Sequence, residues 1–172
     1  MNASDQALVF GRHPDPGLVA VEHVPAAGGD RMVLFRRTGD RVAAEEVPFR
    51  PFLWLESAAT LDGCAAPRET ASLAGDGALR ALARFPTWRA LDQALAWLRK
   101  TTGLGAGDAR APYFALQDPV QQFLLDTGRT LFHGLSFGGL RRMQLDIETQ
   151  TEEGYEFSNP DREGDQIGRA HV

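Results

Sequence analysis

In the first half of the chain, apolar positions come in short runs instead of long stripes. Ala7–Phe10, Leu18–His23, Met32–Arg36 and Arg41–Val47 are runs of this kind, and their composition predicts strands. Pro14-Asp15-Pro16-Gly17, Ala26-Ala27-Gly28-Gly29-Asp30 and Thr38-Gly39-Asp40 separate them with residues that favour tight turns. Phe49–Glu56 adds an aromatic strand. Pro51, which has no N–H to donate, belongs at a sheet edge or a strand end. One small antiparallel sheet is the simplest assembly. Ala58–Gly77 is rich in glycine and alanine and reads as a loop, and Leu79–Phe85 is a further strand candidate.

The period then changes. Trp88, Leu91, Leu95 and Leu98 fall on one face of a helix that Thr87 caps and Gly103 stops. Gly103–Ala111 reads as a flexible link. Asp118 as N-cap, Pro119 in the first turn and Gly128 just past the end mark a second, shorter helix, with Val120, Phe123 and Leu124 facing inward. The glycine-interrupted apolar residues from Leu131 to Leu140 suggest a compact linker. From Arg142 to Thr149 the pattern alternates strictly, placing Met143, Leu145 and Ile147 on one side of a strand. Gln144, Asp146 and Glu148 take the other side. A domain boundary near Phe137–Arg141 fits best, and the fold class expected is α+β.

Composition narrows the setting more than the activity. The 172 residues are 43% hydrophobic and 24% charged, which suits one compact domain and the opening of another. No window approaches the roughly 20 apolar residues of a membrane span, and Met1–Asp5 lacks the basic and apolar regions of a secretory signal. Cys64 is the only cysteine, so there is no disulfide framework and no thiolate zinc site; a cytoplasmic protein with no membrane partner is expected. The net charge of -5 neither announces a nucleic-acid binder nor excludes one, because local charge decides binding.

The chemistry concentrates at the alternating strand. Asp146 and Glu148 project from one face about 7 Å apart along the backbone. That spacing lets two carboxylates share or bracket hard cations such as Mg²⁺ or Mn²⁺. Two such metals about 4 Å apart can activate a water and stabilise the leaving oxygen of a phosphodiester. Taken alone, an Asp-x-Glu on an amphipathic strand is more often a solvated face. Its surroundings distinguish the two readings.

From Asp118 to Thr149 the chain holds a capped short helix, the segment Gly128-Arg-Thr-Leu-Phe-His-Gly-Leu-Ser-Phe137, and a strand containing Asp146-Ile-Glu148. This succession resembles the approach to the exonuclease domain of family B DNA polymerases, and Val47–Leu55 resembles that family's N-terminal aromatic strand. Phe157-Ser-Asn-Pro160 and Asp165-Gln-Ile167 look like the return toward the second exonuclease strand. The resemblance is strongest over Tyr113–Thr149. It implies a polymerase N-terminal domain over 1–137 and the start of an RNase H-like 3′→5′ exonuclease over 138–166. Asp146 and Glu148 would then be catalytic metal ligands in a two-metal Mg²⁺ or Mn²⁺ site, and Thr149 would help position the terminal nucleotide. The implied partners are a DNA primer-template, a single-stranded 3′ end and deoxynucleotides, in a bacterial, nucleoid-associated setting of replication or repair. The family's remaining acidic motifs and its palm carboxylates come later than Glu148, so the chain is expected to be a fragment, inactive alone. Ile167–Val172 resembles one reading frame of a sequencing-library adapter and is expected to be a non-native tail.

Two other readings remain at this level. One is a non-catalytic module whose small sheet contacts nucleic acid or a replication protein; the other is a stand-alone RNase H-like exonuclease. Several residues invite functional readings with plain alternatives. His13, His23 and His133 show no ligand spacing and read as surface or loop residues. Trp54, Trp88 and Trp97 offer stacking surfaces for single-stranded DNA, although Trp88 lies on the apolar stripe of its helix and reads as core. Arg141-Arg142 suits either a phosphate or solvent. Gly103-Leu-Gly-Ala-Gly107 lacks the Lys-Ser/Thr ending of a phosphate-binding loop and reads as linker.

Overall fold

A computed structural model describes residues 13, 15–139, 149–150, 153 and 166–167. It is mixed α+β, and its contacts divide the chain into two units, Met1–Gly134 and Leu135–Val172. In the first unit the strands form two antiparallel sheets where the sequence suggested one. Strands β1 (Leu18–Val24), β2 (Arg31–Thr38) and β3 (Arg41–Pro48) make a three-stranded meander. Local turns join these neighbours, so sequence proximity sets their order. The aromatic strand β4 (Phe52–Leu55) leaves that sheet and starts a second one with β5 (Glu69–Ser72), β6 (Ala81–Arg84) and β7 (Tyr113–Phe114), in the order β5-β6-β4-β7. Pro51 directly precedes β4, where its missing N–H costs no ladder bond.

The segment expected as a loop, Ala58–Gly77, holds a 3-10 turn at Ala58–Leu61 and the edge strand β5. Arg68 orders the stretch between them by donating to the carbonyls of Leu61, Cys64 and Ala66. Gly103–Ala111 is likewise folded: Tyr113 Oη donates to the Leu104 carbonyl at 2.5 Å, and Ala106 is buried.

Helix α1 spans Trp88–Thr102, and α2 spans Pro119–Thr127. Thr87 accepts from the Ala90 N–H and Asp118 from the Gln121 N–H, satisfying first-turn donors that would otherwise lack partners. Gly103 and Gly128 end the two helices at φ 72° and 66°, a backbone conformation that glycine adopts without a Cβ clash. Ala90, Leu91, Ala94 and Leu98 of α1 are buried with Leu53, Leu55, Ala81, Ala83, Phe85 and Tyr113, so the helix covers one face of the second sheet. Phe123 of α2 closes a separate core with Leu18, Met32, Leu34 and Phe49. Trp88 packs against both cores.

Buried polar groups join these parts. Asp30 is 3% exposed and accepts from His23 Nε2 at 2.7 Å, from the Trp88 N–H at 2.8 Å and from the Ala26 N–H at 3.3 Å. His23 is therefore a partly buried structural residue, with its ring beside Phe49 and Trp88, and not the surface histidine its sequence position suggested. Asp15 binds Arg36 of β2 and, at 2.9 Å, Arg129 beyond α2. Arg84 of β6 forms a two-pronged ion pair with Asp126 of α2 at 2.6 and 3.0 Å. Gln122 lies beside Phe123, in the position of a core residue, and is fully buried. Its Oε1 accepts from the Phe52 N–H at 2.8 Å while its Nε2 donates to the Leu116 carbonyl at 2.9 Å.

Asp30→Ala removes the acceptor for a histidine and for a helix N-terminal amide, and is expected to cost about 3 kcal/mol in chemical denaturation, with Asp30→Asn costing less. Gln122→Leu keeps the volume but leaves the Phe52 N–H and Leu116 carbonyl unpaired, at an expected cost of about 2 kcal/mol. A loss below about 0.5 kcal/mol for either aspartate-to-alanine or glutamine-to-leucine replacement would mean that water replaces these bonds freely.

Candidate functional site

Between α2 and the Asp146-Ile-Glu148 motif, residues 128–133 are docked on the first sheet. Gly128 ends α2, and its carbonyl accepts from the His13 N–H at 3.0 Å. The Phe132 N–H then donates to the Leu18 carbonyl at 2.7 Å, and the His133 carbonyl accepts from the Gly17 N–H at 3.0 Å. These bonds fasten the turn to the start of β1. Gly17 is needed here: it has φ +75°, and a Cβ would lie 2.5 Å from the Arg37 carbonyl oxygen. Phe132 adopts φ 63°, a left-handed conformation that costs an L-residue about 1–2 kcal/mol. Its ring is half exposed, so burial of the side chain contributes little to offset that cost.

Asp146 and Glu148 lie outside the described residues, as do Met143, Leu145, Ile147 and the Arg141-Arg142 pair. Thr149 is placed. With Gln150 it forms β8, which pairs antiparallel with β9 (Gln166–Ile167), Thr149 opposite Ile167 and Gln150 opposite Gln166. Ile167, the first residue of the expected tail, thus takes part in a strand pair. Among the described residues, no three His, Cys, Asp or Glu side chains come together to hold a metal ion, and no helix is long and apolar enough to cross a membrane.

The tryptophans fall in three environments. Trp88 is half-buried between the two cores, and Trp97 packs on the core of the second sheet beside Gly63. Trp54 stands on the face of the second sheet opposite α1, with Phe52 edge-on at 4.9 Å and Phe114 at 5.6 Å. Sequence reasoning had singled out Trp54 but not Phe114, because a two-residue strand gives no alternation to read.

Other titratable groups are set by local partners. The Arg50 guanidinium hydrogen-bonds Glu69 and holds its carboxyl below the ordinary range, as Arg110 does for Asp108. Both pairs are exposed and contribute little to stability. Asp92 differs: although exposed, it lines a cleft of about 190 Å³ with Leu95, Arg99, Ala106 and Tyr113, and partial loss of hydration there raises its carboxyl above the ordinary value. No protein-family model matches the chain, and no curated protein matches it.

A carboxyl raised by folding contributes stability below the ordinary carboxylate pKa, and that contribution is lost as pH rises through the raised folded value. Asp92→Asn should therefore melt higher than the parent at pH 7, by roughly a few tenths of a kcal/mol after solvent screening. At pH 3 the two proteins should melt together. Thermal melts at the two pH values test this, and a variant less stable at pH 7 would contradict it.

Proposed function

We propose that this chain belongs to the N-terminal part of a family B DNA polymerase, with Asp146 and Glu148 supplying metal ligands of its 3′→5′ proofreading exonuclease. The observation that carries the reading is the succession, between Asp118 and Thr149, of helix-capping residues, a glycine-bounded segment and the Asp-Ile-Glu motif in an alternating sequence. Two features of the structure support it. Helix α2 has Asp118 as its N-cap and Gly128 at its end, and the turn it leads into is fastened to β1. Immediately after the acidic pair, Thr149–Gln150 pairs antiparallel with Gln166–Ile167, which suits a hairpin at the start of an RNase H-like sheet.

In this proposal Asp146 and Glu148 would hold Mg²⁺ or Mn²⁺ for hydrolysis of the terminal phosphodiester. Such metals, held in part by Asp146 and Glu148, would supply an activated water and stabilise charge on the leaving 3′ oxygen. Thr149, next to the pair, contacts the terminal nucleotide. Two carboxylates provide too few oxygens to close a two-metal site, so the remaining ligands come from further motifs of the same polypeptide.

The test begins with the coding DNA beyond codon 166, which should continue into further acidic nuclease motifs and polymerase motifs. The product of that longer frame should shorten 5′-labelled single-stranded DNA from its 3′ end when Mg²⁺ is present. Asp146→Ala or Glu148→Ala should reduce this by about 100-fold or more while leaving primer extension intact. The 172-residue chain alone should show no turnover. Degradation indifferent to both substitutions, or a frame with no later acidic motif, would overturn the assignment.

A further inference from the structure

We draw no further inference here: the strongest candidate, the face of the second sheet opposite α1 that carries Trp54 and Phe114, has Glu56 directly opposite Arg80 and a buried Phe52, and nothing in the structure shows what covers it.

Discussion

The carboxylate of Asp30 holds together the parts of the first unit that the hydrophobic cores leave separate. A buried carboxylate is costly unless its lone pairs are satisfied. Here they accept from a side chain on β1, a turn amide and the first helical amide of α1. The last of these places negative charge at a helix N-terminus, where the aligned peptide dipoles favour it. The main chain of the same residue donates to the Pro86 carbonyl and accepts from the Phe49 N–H. One residue therefore joins the first meander, the crossing from β3 to β4, and the turn that starts α1. Trp88 packs beside this junction, touching both cores, so apolar contact and charge-assisted bonding reinforce each other there.

Local chemistry made much of this fold legible from the sequence. Thr87, Gly103, Asp118 and Gly128 marked both helices because capping acts within one turn. The first three strands were evident from apolar runs and turn residues. The division into two sheets was not, since β4 pairs with β6 and with β7, both remote in sequence. Strand β5, Glu-Thr-Ala-Ser, is exposed at all four positions and so carries no alternation between apolar and polar. The burial of Asp30, His23 and Gln122 was not foreseen for the opposite reason: polar residues are expected outside, and these are inside because specific partners satisfy them. As for the candidate site, the acidic pair was visible only as alternation and resemblance, and its two carboxylates fall outside the described residues.

The two sheets differ in how they use their surfaces. In the first, Met32 and Leu34 point into a small core closed by Phe123, while Arg41–Glu46 of β3 is exposed along its whole length. Charge on that edge strand discourages pairing with other chains. The second sheet has α1 on one side and a row of half-exposed rings on the other. Apolar residues that face solvent in a continuous row are less common than scattered ones. Ion pairs at the margin of that row, Arg84 with Asp126 and Arg50 with Glu69, tie β6 to α2 and the residues before β4 to β5, and the Arg84 guanidinium lies over the Phe52 ring.

The bond from Gln122 to Phe52 spans 70 residues of chain. During synthesis at about 5–20 residues per second, the first meander is complete well before that glutamine emerges. The leading amide of β4 must then wait roughly 4–14 s for its partner, and the edge that β7 takes is filled only slightly sooner. Strand β6 and α1 arrive earlier and can cover one edge and one face of β4, but its leading amide and its other edge stay open on the nascent chain, and an open strand edge can associate with its own kind. Late-arriving residues thus decide how long an early strand stays vulnerable.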